Sequence, residues 1–227
     1  MEELLERLAV CIEHGKVDAD SPYPPELKGQ EGATELTRRA LAAGCPPREV
    51  LAGGLMTGMG RVGDRFEKGE AFIPELLIAA RAMTASMELL KPYFESGDIE
   101  YRGKVILGTV AGDLHDIGKN IVRMVLEGDG WEVIDLGVDV TTEQFLDTLA
   151  GNPGSLVGLS ALLTTTMINM ERTTAEIQVK YPGTPVFVGG APLSDEFCAK
   201  IGASGYFQDP QKFAKHLRGP ADTEGGD

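Results

Sequence analysis

One short stretch brings together the residue types and spacing for metal chemistry: Asp113, His115 and Gly118 in Gly108-Thr-Val-Ala-Gly-Asp-Leu-His-Asp-Ile-Gly-Lys-Asn120. A carboxylate two residues before an imidazole can hold one ring nitrogen. That fixes the tautomer and raises the basicity of the other nitrogen toward a metal. The apolar run Val105-Ile-Leu107 precedes the motif, and a helical pattern (Ile117, Ile121, Val122, Val125, Leu126) follows it. The motif therefore falls on a loop at the carboxyl end of a strand, the binding edge of an open α/β sheet. Taken alone, it leaves a second reading open, in which Asp113 caps the next helix and His115 is a solvated loop residue. His14 and His216 have no comparable setting and read as surface residues.

Two further stretches reach the same edge. Ser160-Ala-Leu-Leu-Thr-Thr-Thr166 ends a later strand, and one of its four hydroxyls is expected to cap the following helix. Gly189-Gly190 ends the next strand. The missing side chains there allow either close approach of a bulky ligand or a tight strand-to-helix turn. None of these strand-end stretches carries G-x-G-x-x-G or G-x-x-x-x-G-K-[ST], so the edge is not made for a dinucleotide or a nucleoside triphosphate.

The elements that position these residues follow from the apolar period. Residues 1 to 95 read as helices only: Leu4, Leu5, Leu8 and Ile12 in the first, Ala33, Leu36, Ala40 and Leu41 in the second. A Pro- and Gly-rich loop over 15 to 32 separates them. A third helix is expected from about Pro47 to Asp64, and a fourth from Pro74 with apolar positions 76, 80, 83, 87, 90 and 94, as in a bundle seam. After Gly97 strands and helices alternate, with strands at Val105–Val110, Trp131–Ile134, Leu156–Leu159, Pro185–Val188 and Tyr206–Phe207. Thr141 or Thr142 is expected to cap the helix after the second strand. This alternation implies an α/β fold: an N-terminal four-helix bundle cap, then a flavodoxin/Rossmann-like, doubly wound, five-stranded parallel sheet. The expected divisions are a helical domain over 1–95, a linker over 96–102, the sheet domain over 103–218 and a disordered tail over 219–227.

Composition excludes several classes. With 227 residues, 42% hydrophobic and 25% charged, the chain can bury a sizeable core. A net charge of −14 with no basic patch argues against a nucleic-acid partner. Cys11, Cys45 and Cys198 lie far apart with no C-x-x-C pair, the pattern of neither a disulfide framework nor a zinc site, and fit a reducing cytoplasm. No apolar run approaches the roughly 20 residues of a membrane span, so no membrane association is expected.

Gly112-Asp-Leu-His-Asp-Ile-Gly-Lys-Asn120, Gly158-Leu-Ser-Ala-Leu-Leu-Thr164 and Val188-Gly-Gly-Ala191 together resemble the cobalamin-binding module of cobalamin-dependent methionine synthase and of corrinoid proteins in methyltransferase systems. Those systems act on methanol, methylamines and methoxylated aromatics. Met56-Thr-Gly-Met-Gly-Arg-Val-Gly-Asp-Arg-Phe66 and Gly69-Glu-Ala-Phe-Ile-Pro-Glu75 resemble the helical cap that precedes the module, so the likeness covers about residues 33 to 217. It implies a corrinoid methyl carrier that binds cobalamin, or a related corrinoid, base-off. His115 is then the lower axial ligand of cobalt, with Asp113 and Thr166 completing a proton-holding relay where methionine synthase has serine in the third place. Gly112, Leu114, Asp116 and Ile117 flank that ligand. Ser160, Leu162, Thr164, Gly118, Gly189, Gly190 and Pro210 match the slot for the displaced nucleotide tail. Phe66 and Ile73 match the cap over the reactive face, with isoleucine where the family has leucine.

The same resemblance implies partners: a substrate-specific methyltransferase, an acceptor methyltransferase and a reductive reactivase. The linker over 96–102 is the expected hinge. Two alternatives stand beside the carrier. A cobalamin-dependent regulator needs an output segment, and no helix-turn-helix is visible. A mutase small subunit resembles only the α/β half.

Overall fold

The computed structural model describes residues 1–219, so the tail expected over 219–227 lies outside the described residues from 220 on. The chain divides into two compact units, Met1–Tyr101 with Gly128–Gly130, and Arg102–Glu127 with the chain from Trp131 onward.

In the helical unit α1 (Glu2–Glu13) and α2 (Ala33–Ala42) precede α3 (Pro47–Glu49), which runs through a π-helical stretch, Val50–Met56, into α4 (Thr57–Glu67); α5 (Ile73–Glu95) follows. The regular helix expected over 47 to 64 is thus corrected: it widens mid-course and continues to Glu67. The reason lies in the spacing of its buried residues. Leu51, Leu55 and Met59 step by four. That step drifts around a 3.6-residue turn and stays in line where a turn is wider. The same step puts Gly54 and Gly58 against α1, where a Cβ at Gly54 would lie 2.6 Å from Leu8 Cδ2. On α5, Leu76, Ala80, Met83 and Leu90 are buried as the seam requires, and Ala79, Ala82 and Ser86 widen the buried face. The loop over 15 to 32 is tied down by Lys16, a fully buried side chain whose Nζ donates to Ser21 O at 2.6 Å.

The second unit holds five parallel strands: β1 (Lys104–Thr109), β2 (Glu132–Asp135), β3 (Leu156–Ser160), β4 (Val186–Gly189) and β5 (Gly205–Tyr206). Their order is β2-β1-β3-β4-β5, which reverses direction between β1 and β3. Helices α6 (Ile117–Gly128), α7 (Thr142–Gly151), α8 (Met167–Lys180), α9 (Asp195–Ile201) and α10 (Pro210–Arg218) alternate with the strands. Ile106, Val157, Leu159, Val186 and Val188 are buried in the sheet, as the β-branched and leucine-rich runs of a sheet covered on both faces demand. Thr141 caps α7, its hydroxyl accepting from Gln144 N at 3.3 Å while Gln144 Oε1 accepts from Thr141 N at 2.8 Å. Among the described residues no helix is long and apolar enough to cross a membrane.

Candidate functional site

The topology dictates where the site lies. Loops after β1 and β3 open at the reversal of strand order, the crevice where such sheets bind ligands. Beyond Thr109 the chain makes a tight turn: Asp113 N donates to Val110 O at 3.1 Å, with Gly112 at φ +81°. A type II turn needs a positive φ at that position. The turn drops Asp113 into the interior at 0% exposure and leaves the next-but-one side chain, His115, 51% exposed. Thr109 Oγ1 fixes the return of the loop by donating to His115 O at 2.9 Å.

Asp113 gathers donors on both carboxylate oxygens. Oδ1 lies 2.8 Å from His115 Nδ1 and accepts from His115 N at 3.1 Å. Oδ2 accepts from Leu162 N at 2.8 Å, Leu163 N at 3.2 Å and Thr166 Oγ1 at 2.9 Å. Burial pushes the Asp113 carboxyl up, but the hydrogen bonds from Leu162, His115 and Thr166 outweigh it and hold the group well below the usual carboxylate range. An ionised carboxylate only accepts, so the shared proton sits on Nδ1. A neutral imidazole then keeps its lone pair on Nε2, the tautomer a metal requires.

The other residues singled out in the sequence fall as follows. Thr166 stands at the N-cap position of α8 but makes no capping bond. Its hydroxyl is 2.9 Å from Asp113 Oδ2 and 2.8 Å from Leu163 O. The expected helix cap is therefore corrected: Thr166 has a helical backbone, φ −95° and ψ −9°, instead of the extended one from which a cap hydroxyl reaches back to accept a helix N–H, and its hydroxyl turns to Asp113 and Leu163. Leu114 and Ile117 are 72% and 70% exposed beside His115, and Leu162 with Leu163 is exposed on the facing loop. Asp116 accepts from Asn120 Nδ2 at 3.2 Å in the first turn of α6. Gly118 has open space where a Cβ would stand. Ser160 ends β3 and Thr164 is exposed beyond it. Gly189 ends β4, and Gly190, at φ +140°, lies so close that a Cβ would collide with Ala161 O. Pro210 opens α10 behind the Asp209 cap. Phe66, half-buried on α4, and Ile73, exposed at the start of α5, belong to the helical unit, where Phe72 and Leu77 are also exposed.

Several positioning contacts escape the sequence reading. Asn169 Nδ2 donates to Ala111 O at 2.7 Å. Lys119 is buried, with Nζ 2.6 Å from Asp135 Oδ1, and that same oxygen accepts from Gly137 N at 2.9 Å. Gly137 O accepts from Thr109 N at 3.0 Å, which ties the loop after β2 to the end of β1. The one signal available was their place at the carboxyl edge of the sheet; their partners lie too far along the chain for any local pattern to reveal.

Both units resemble known proteins. A B12 binding domain model matches residues 103–212, and a second B12 binding domain model matches 30–91. Trimethylamine corrinoid protein 1 of Methanosarcina acetivorans is 40% identical over 207 residues, covering 88% of this chain and 93% of its own length. Dimethylamine corrinoid protein 1 of the same organism is 37% identical over 213 residues, covering 92% of each. A chain of the methanol:cobalamin methyltransferase complex of Methanosarcina barkeri superposes with a TM-score of 0.80 at 28% identity, covering 96% of this chain and 80% of that one. With a B12 binding domain matched in each half and 40% identity along most of its length to one of their number, the chain belongs to the corrinoid protein family.

Proposed function

We propose that the chain is a methyl carrier. It holds cobalamin, or a related corrinoid, with His115 as lower axial ligand and the cofactor's own base displaced. It takes a methyl group from a substrate-specific methyltransferase and yields it to an acceptor methyltransferase. The observation that carries the reading is the half-exposed His115 whose Nδ1 is held 2.8 Å from a fully buried Asp113.

The residues fit the group. A single imidazole donor suits a metal that arrives with ring nitrogens of its own. The exposed Leu114, Ile117, Leu162 and Leu163 around it suit the apolar underside of a macrocycle. When bound, the corrinoid supplies a cobalt that accepts and releases a methyl group. The chain supplies everything else. Asp113 keeps the proton on Nδ1, and Thr166 and the Leu162 and Leu163 amides keep Asp113 ionised. Nε2 can take up a proton while Nδ1 stays bound to Asp113, so this pair can hold a second proton without rearranging. Gly118, with its open side, Gly189 and Gly190, with Ser160, Leu162, Thr164 and Pro210, form the slot for the displaced tail. In the helical unit, Phe66 and Ile73 are the residues that would serve to exclude water.

The names of the relatives make methylamines the first donors to test, and the complex from Methanosarcina barkeri makes a methyltransferase the natural partner. A reductive reactivase completes the proposed set of partners. The test supplies the reduced, corrinoid-loaded chain with a methylamine methyltransferase and its labelled substrate. One methyl group per corrinoid is expected on the protein. A chain that loads corrinoid yet takes up no methyl group from tri-, di- or monomethylamine or methanol, each with its cognate methyltransferase, contradicts the carrier reading.

A further inference from the structure

Asp139, in the loop between β2 and α7, is the only non-glycine residue with a positive φ among those described, at +55°. Such a backbone is strained for a residue with a Cβ, aspartate and asparagine being the most tolerant, and persists where surrounding contacts over-determine it. The contacts are visible. Asp139 Oδ1 accepts from Gly112 N at 2.7 Å, and Asp139 N donates to Asp113 O at 3.0 Å. One residue from a neighbouring loop therefore grips both ends of the Gly112–Asp113 dipeptide, on the turn that buries the carboxylate of Asp113. Asn169 holds the preceding carbonyl, Ala111 O, at 2.7 Å. Valine 140, next to Asp139, is bridged to Val110 at the start of the turn. Among the described residues Gly112 N has no acceptor besides Asp139 Oδ1.

We infer that Asp139 is a positioning residue for the His115 ligand: its side chain pins the Gly112 amide, and through that turn sets the Asp113 carboxylate that holds His115 Nδ1. This deepens the carrier reading and, for its corrinoid readout, rests on it. The left-handed backbone alone would be served as well by glycine. An aspartate at that φ adds an acceptor aimed at the turn, and asparagine is the one other residue that combines an acceptor with tolerance of this conformation.

The two roles, backbone and acceptor, separate with Asp139→Gly and Asp139→Asn. Glycine keeps the backbone and removes the acceptor, so the fold is not threatened; asparagine keeps both. In cofactor-free protein, amide exchange at Gly112 is expected to rise roughly tenfold in Asp139→Gly and to stay near wild type in Asp139→Asn. Nitrogen NMR of the His115 ring should show a mixed tautomer population in Asp139→Gly and the Nδ1–H form alone in wild type and Asp139→Asn. Corrinoid should dissociate from Asp139→Gly roughly tenfold faster, the lower range for outer partners of a metal ligand. An Asp139→Gly protein indistinguishable from wild type in exchange and tautomer overturns the inference, as does an Asp139→Asn protein as impaired as Asp139→Gly. Failure of the wild type to retain corrinoid would instead strike the carrier reading. The cofactor-free measurements decide on Asp139 independently.

Discussion

Asp113→Asn is expected to weaken corrinoid retention by roughly 10- to 100-fold, the range for residues that orient a metal ligand, and to destabilise the α/β unit as well. An amide presents one acceptor where the carboxylate presents two. If its NH2 faces Leu162, Leu163 and Thr166, two backbone N–H groups lose their acceptor. If it faces His115, the ring must accept at Nδ1, and the proton moves to Nε2, where it blocks coordination. Each buried donor left unsatisfied costs about 1–3 kcal/mol, so the first choice lowers stability by about 2–6 kcal/mol and the second, which strands His115 N, by about 1–3 kcal/mol. Calorimetry of the cofactor-free protein and a corrinoid titration read the two effects separately; unchanged values in both would show that the carboxylate anchors nothing. Wild type should show the same contribution as a function of pH. A carboxyl depressed in the folded state stabilises above its ordinary value of about 3.9, and that stability is lost as pH falls through the lower folded value.

The second large effect separates two kinds of glycine. A Cβ at Gly190 would collide with Ala161 O, in a backbone conformation open almost only to glycine. Gly190→Ala must push β3 and β4 apart at the edge where Ala161 N donates to Gly189 O at 3.1 Å. Strain and overpacking together should cost roughly 3–5 kcal/mol, a fall of about 10 °C or more in the melting temperature of this unit. Gly118 is the opposite case, with open space beside it in the first turn of α6. Gly118→Ala should leave the cofactor-free protein as stable or raise it by about 0.5–1 kcal/mol, because alanine is the better helix former. Gly118→Leu should fold yet retain corrinoid at least tenfold less well if that space is the tail's slot. Equal corrinoid affinity in Gly118→Leu and wild type would remove Gly118 from the slot. A stable Gly190→Ala would mean that the close approach to Ala161 is not demanded by the fold.

These cases show how far the sequence could be read. The strand-helix alternation and parallel sheet were legible because strands such as Val105–Leu107 and Val186–Val188 are continuous apolar runs, and each helix between them has its own period. Their bounds slip by about a residue, as at β1, because edge residues are half in and half out of the ladder. The π-helical stretch was not legible: Ala52, Gly53 and Gly54 give almost no apolar period, and a four-residue step reads as an ordinary helix until its burial is known. At the site, Asp113 and His115 are close in sequence, so their bond could be foreseen from the residues. Thr166 is 53 residues from Asp113, and without the family likeness its hydroxyl looks like a helix cap. Asp139 reaches 27 residues back to Gly112, and its left-handed backbone leaves no mark in composition or period. Local chemistry was visible; the long-range hydrogen bonds that aim it were not.

The most direct test of His115 as cobalt ligand is the electron paramagnetic resonance spectrum of the chain loaded with corrinoid and reduced to cobalt(II). A single axial nitrogen splits each cobalt line into three for nitrogen-14 and into two for nitrogen-15. Protein made with nitrogen-15 histidine and bound to unlabelled corrinoid is expected to show doublets, and His115→Ala should lose the nitrogen splitting altogether. Triplets that persist with labelled histidine, or splitting that survives in His115→Ala, would mean that the cofactor's own base or another group holds the metal and that His115 does not.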